Sequence, residues 1–121
     1  MTQENKELLL KDLSSRLPYG VKISVNDKVE SLQGINISDN VVEYGSFLSC
    51  DIEDVKPYLF PLSSMTEEQR KEFDTTLKYL PAEEIDVWTL DTYDWCDKNH
   101  FDYRGLIPKG LATDATNLNI Y

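Results

Sequence analysis

The chain has 121 residues, 40% of them hydrophobic, with seven Tyr, four Phe and two Trp. That is the commonest size for one domain and enough apolar material to offset the ordering entropy of a folded chain, so a single domain over 1–121 is expected and extended disorder is not. Twenty-two Asp and Glu against twelve Lys and Arg leave a formal charge of −10, which disfavours direct nucleic-acid binding and favours a basic protein partner.

No run approaches the roughly 20 apolar residues of a membrane span. The opening MTQENKELLLKDL lacks the basic and longer apolar regions of a secretory signal. A cytoplasmic protein without a membrane partner is the expectation.

The first element reads as an amphipathic helix. Thr2 can cap it, Glu7 and Lys11 are spaced as a favourable pair, and Leu9, Leu10, Leu13 and Leu17 share a stripe that Pro18 ends. The period then changes to two, with Val21, Ile23 and Val25 alternating with Lys22, Ser24 and Asn26. Asn26-Asp27 is a turn into a second strand holding Val29, Leu32, Ile35 and Ile37, whose apolar parity switches near Gly34 in the manner of a bulge. Ser38-Asp39-Asn40 turns the chain into Val41, Val42 and Tyr44, and Phe47-Leu48 follows Gly45-Ser46. Strands this short and close predict an antiparallel meander of three or four strands, covered by the leading helix.

Pro57 and Pro61 predict no more than a helical turn and an extended connector over 51–65. Thr66 and Gln69 form a capping box before a helix whose buried stripe is Phe73, Leu77 and Leu80, closed by Pro81. A last acidic helix is expected from a cap at Asp91 or Thr92 to about Lys98, with Asn99 in the left-handed stop position. A turn covers Tyr103 to Ile107, and the polar tail 113–121 is expected to be loose. The fold class is therefore α+β: an N-terminal helix on a small meander, then two or three helices.

Phosphate-loop, dinucleotide, nucleophile-elbow, HExxH and EF-hand signatures are all absent. No cofactor is expected. The densest polar cluster contains Asp94, Asp97, His100 and Asp102, which in one place would suit a hard cation or a carboxylate-oriented base. The plainer reading is a solvated acidic helix face. Cys50 and Cys96 form no CxxC pair and read as free thiols, although Cys96 and His100 have the spacing of a nucleophile and base.

Aromatic residues concentrate late in the chain: Trp88, Tyr93, Trp95, Phe101 and Tyr103, beside Arg104. Trp, Tyr and Arg are the anchors that interfaces favour, so these six are the interaction candidates, although a small core also needs large rings.

Three stretches, LLLKDLSSRLPYGVK (8–22), KPYLFPLSSMTEEQRKEF (56–73) and NHFDYRGLIPKGLA (99–112), resemble a group of small uncharacterised proteins of gut anaerobic bacteria and their phages or prophages. The resemblance implies a context, bacterial cytoplasm and mobile-element biology, and no activity or site residue. Three functional readings stay open: an accessory or adaptor protein, itself able to homo-oligomerise, an acidic mimic of nucleic acid that occupies a basic host factor, and a small metal-dependent enzyme using the Asp/His cluster.

Overall fold

The structure, a computed structural model, describes residues 1–121. Helix α1 spans Gln3–Arg16, with the Thr2 hydroxyl accepting from the Asn5 N–H. Its stripe of Leu9, Leu10 and Leu13 is buried, and a 3-10 turn over Leu17–Tyr19 carries Pro18. Strands β1 (Lys22–Val25), β2 (Lys28–Asn36), β3 (Val41–Tyr44) and β4 (Leu48–Asp51) follow as an antiparallel meander. Asn26 and Asp27 both have positive φ, 51° and 63°, the type I′ geometry that matches strand twist. The parity switch is a bulge: Leu32 opposes Tyr44 and Gly34 opposes Glu43, leaving Gln33 extra. A Cβ at Gly34 would lie 2.8 Å from Glu43 Oε2, the end of a flexible side chain that would have to swing aside.

The segment expected to be a connector is instead a central strand, β5 (Val55–Pro61). It pairs antiparallel with β1, and its other edge is shared by two short parallel strands, β8 (Phe101–Asp102) and β9 (Thr113–Asp114). The prolines are tolerated because each lies at the end of a ladder: Pro57 opposes Ile23 where pairing with β1 stops, and Pro61 opposes Asp102 at the close of the β8 pairing. Between them Tyr58 and Leu59 are buried, as suits a strand enclosed on both faces. The meander is thus part of a larger sheet with strand order β4-β3-β2-β1-β5-β8 and β9 on β5.

The tail is not loose. Ala115 N–H donates to the Leu59 carbonyl at 2.8 Å, and the Tyr121 hydroxyl donates to the Tyr58 carbonyl at 2.7 Å while accepting from the Lys22 N–H at 2.9 Å. Backbone groups along β5 need partners, and a polar tail with small buried alanines at 112 and 115 can come close enough to supply them.

Helix α2 (Glu67–Thr76) has its capping box from Thr66 and Gln69, yet stops before Leu77. Thr75 and Thr76 hydroxyls bond back to the Glu72 and Phe73 carbonyls, and the Thr76 carbonyl accepts from the hydroxyls of Thr89 and Thr92. Residues beyond it turn into a hairpin of β6 (Lys78–Leu80) and β7 (Ile85–Val87). Helix α3 (Leu90–Lys98) is capped by Thr89, earlier than expected, in a box with Thr92. The left-handed residue after it is His100 at φ 64°, not Asn99. This reversal feeds β8 into the sheet, where Phe60 N–H donates to the His100 carbonyl at 2.8 Å.

The main core lies between α1 and the sheet and its buried members are all aliphatic, Leu9, Leu13, Ile23, Val42, Ile52 and Leu59 among those fully enclosed. Each such side chain contributes about 1.5–3 kcal/mol by leaving water. A second, smaller core of Phe73, Cys96 and Phe101 sits between α2 and α3. No helix is long and apolar enough to cross a membrane.

Candidate functional site

The second core is the base of a chain of rings that climbs to the surface. Phe60 lies 6.0 Å from Phe101, which stacks on Trp95 at 5.4 Å; Trp95 meets Phe73 at 5.7 Å, and Phe73 meets Trp88 edge-on at 5.3 Å. Trp88 then joins Tyr93 and Tyr103, the three centroids being 5.0, 5.2 and 6.1 Å apart and the rings mutually inclined by 53–64°. With Val87 they line an open concavity of about 390 Å³. The end of the β6–β7 hairpin, α3 and the turn after β8 each supply part of it.

Beneath Tyr103 is a buried ionic network. Arg16, fully enclosed, donates through Nε to Asp12 at 2.9 Å and through its terminal nitrogens to the Phe101 carbonyl at 2.6 Å and the Cys96 carbonyl at 3.4 Å. Arg104 donates to the second Asp12 oxygen at 2.8 Å, and Asp97 accepts from the Tyr103 hydroxyl at 2.8 Å and from Ser15 at 3.2 Å. Two guanidinium groups thus face two carboxylates, and α1, α3 and the post-β8 turn are joined through them. The Arg104 guanidinium also lies 4.5 Å from the Tyr103 ring centre, with Arg16 at 5.4 Å. Burial, reinforced by the hydrogen bond to Asp97, pushes the Tyr103 phenol up to about 12.

The six interaction candidates divide. Trp88, Tyr93 and Tyr103 share the concavity; Trp95 is half-buried beneath it, and Phe101 is core. Arg104 is largely committed to Asp12. Leu90, one helical turn before Tyr93, is 82% exposed, and Tyr79 and Ile85 of the neighbouring hairpin are exposed as well.

The four metal candidates are not brought together: no three His, Cys, Asp or Glu side chains form a ligand set. Asp97 belongs to the ionic network, Asp94 is exposed, and Asp102 accepts from the N–H groups of Leu106 and Ile107 at 2.9 Å each, shaping the turn. His100 is stacked on Tyr121 at 3.8 Å, with Nδ1 buried and unpartnered. Burial, with the Arg16 charge added, lowers its imidazole to about 4. Cys96 is fully enclosed and its thiol is pushed up to about 12 by burial, so Cys96 and His100 do not make an activated nucleophile and base.

Two features escaped the sequence reading. Asp12 and Arg16 fall on the apolar stripe of α1 at the i+3 and i+7 positions from Leu9, a placement that signals a buried pair. Phe47, at the β3–β4 turn, is fully exposed at φ 67°, unusual for a bulky residue, beside an open cavity of about 520 Å³. The signal was an aromatic residue within a three-residue turn.

No protein-family model matches the chain, and no curated protein or solved structure is similar enough to it to count as a match.

Proposed function

We propose that the protein is an adaptor that binds another protein through the aromatic face of Val87, Trp88, Tyr93 and Tyr103, in the bacterial mobile-element or phage context implied by its sequence resemblance. The observation that carries this reading is the concavity itself: three rings converge at the surface, Tyr103 among them fastened to a buried ionic network, and Leu90, one helical turn before Tyr93, is exposed. Large, stiff aromatic side chains on a fixed base lose little freedom on binding, which is what an interface anchor requires.

The test is site-specific. A photoreactive phenylalanine analogue at position 93, compared with one at Asn26 on the remote β1–β2 turn, is irradiated in cells producing the protein. The expected result is an adduct at 93 alone that disappears with Leu90→Asp. Adducts equal at both positions, or none at 93, would overturn the reading.

A second reading, an acidic mimic of nucleic acid, is favoured by the exposed carboxylates Glu83, Glu84, Asp86, Asp91 and Asp94 along the same segment. It is separated by Leu90→Asp, which adds a carboxylate beside the rings: a mimic held by exposed charge keeps its adduct in this variant, whereas an aromatic anchor loses it.

A further inference from the structure

We infer that the concavity between Trp88, Tyr93 and Tyr103 is the seat of an arginine side chain, presented by a basic segment of the partner. This rests on the protein-binding reading above and names the chemistry of what is bound.

Charge complementarity selects a cation. From Tyr79 to Asp97 the chain has no Lys or Arg, while Glu83, Glu84, Asp86, Asp91 and Asp94 are all exposed. Asp91 and Asp94 are the exposed acids of the helix that supplies Tyr93. A cation over these rings is attracted by their negative faces, and a neighbouring carboxylate can take up the remaining N–H donors. An anionic ligand would meet repulsion from all five acids.

The walls select guanidinium over ammonium. They are three aromatic rings and a valine, with no enclosed carboxylate to receive a strongly hydrated point charge. A planar, weakly hydrated guanidinium stacks on such rings and keeps its edge free for a carboxylate of this acidic segment. The molecule already shows this arrangement on one of the rings, since Arg104 lies 4.5 Å from the centre of Tyr103.

A second copy of the chain is a poor source of this arginine. Its three arginines are Arg16, which is fully buried, Arg104, which is held by Asp12, and Arg70, which is exposed but paired with Asp74 at 3.3 Å and lies over Phe73. Two copies would also bring together charges of −10 each. The occupant is a different, basic protein.

The test uses the full chain and a defined probe, the peptide acetyl-Gly-Arg-Gly-Arg-Gly-amide, titrated at 150 mM salt and followed by the indole N–H resonances of Trp88 and Trp95 and the backbone amides. The expected result is a saturable shift centred on Trp88 and Tyr93. Affinity should fall at least fivefold when citrulline, the neutral isostere, replaces arginine, and at least fivefold for Tyr93→Leu or for Asp91→Asn with Asp94→Asn. Tyr93→Phe should retain binding. Unchanged amide positions elsewhere show that these exposed substitutions leave the fold intact.

The proposal is overturned if citrulline binds as well as arginine, if shifts spread over the acidic surface without saturating at Trp88, if Tyr93→Leu binds as tightly as the parent, or if Trp88 shifts on concentrating the protein alone, which would mark self-association. If the peptide fails while position 93 still captures a partner, the site docks an apolar group and the protein-binding reading stands. If both fail, that reading falls with it.

Discussion

The two cores of this protein are built from different material and do different things. The larger one, between α1 and the sheet, is closed and aliphatic; its leucines, valines and isoleucines are covered on every side. The smaller has three buried members, Phe73, Cys96 and Phe101, and its surrounding rings run outward to Trp88, Tyr93 and Tyr103 at the surface. What the second lacks in buried apolar area is offset by polar fastening: the Asp12–Arg16–Asp97–Arg104 network and the Thr89 and Thr92 hydroxyls on the Thr76 carbonyl. A closed aliphatic core has no surface left to offer a partner. An aromatic core fastened from one side does.

The sharpest way to break this comparison is to cut the fastening. Asp12→Ala leaves Arg16 and Arg104 buried or half-buried without their principal counter-charge, and should cost about 3–5 kcal/mol in urea unfolding. Loss below 1 kcal/mol would mean the network does not hold the two halves together. In the closed core, Leu13→Ala opens a cavity beneath the sheet and should cost about 2–5 kcal/mol, whereas Tyr93→Ala at the surface should cost less than about 1 kcal/mol. Equal costs would erase the distinction between a structural core and a presented face.

Acid should strain the junction between the two halves through His100. Its ordinary value is 6.5 and burial lowers it to about 4 in the folded protein. The imidazole therefore contributes no penalty above pH 6.5, and stability is lost as pH falls from 6.5 through about 4, by on the order of 3 kcal/mol in all. Asparagine also tolerates a left-handed backbone, so His100→Asn should flatten this part of a stability–pH profile without breaking the reversal at φ 64°. A profile identical to the parent's would show that the imidazole is not the group responsible.

The smallest effect concerns the other exposed aromatic. Phe47 packs against nothing, and its left-handed backbone costs a bulky residue about 1 kcal/mol or more, part of which glycine's greater chain entropy cancels. Phe47→Gly should therefore leave the urea midpoint unchanged or raise it, by no more than about 1 kcal/mol. A clear loss would mean that Phe47 packs on the hairpin in solution.

Much of the first half was legible because its rules are local. The Thr2 cap, the leucine stripe, the Asn26-Asp27 turn and the bulge at Gly34 each depend on residues within one turn or one hairpin. The candidate site was legible only as a list of rings. Which of the six interaction candidates would be core was not readable, because Phe101 and Tyr103 lie two apart and differ only in what α1 and β5 place against them. The four metal candidates stay apart for the same reason: Asp97 and Asp102 are drawn away by Ser15, Tyr103 and the backbone of the following turn.

By itself the sequence determined the fold class, the capped starts of α1 and α2, the meander and the acidic aromatic stretch, since propensity, capping and hydrophobic period act over a few residues. Only the tertiary structure decided that 55–61 is a strand despite two prolines, that the polar tail is pinned by Tyr121, and that Arg16 is buried under Tyr103. In each case a partner that completes the arrangement lies some thirty to one hundred residues away along the chain: Ile23 for Pro57, Lys22 for Tyr121, and the Phe101 carbonyl for Arg16. Backbone groups and buried charges must be satisfied, and no local pattern records which distant segment will do it.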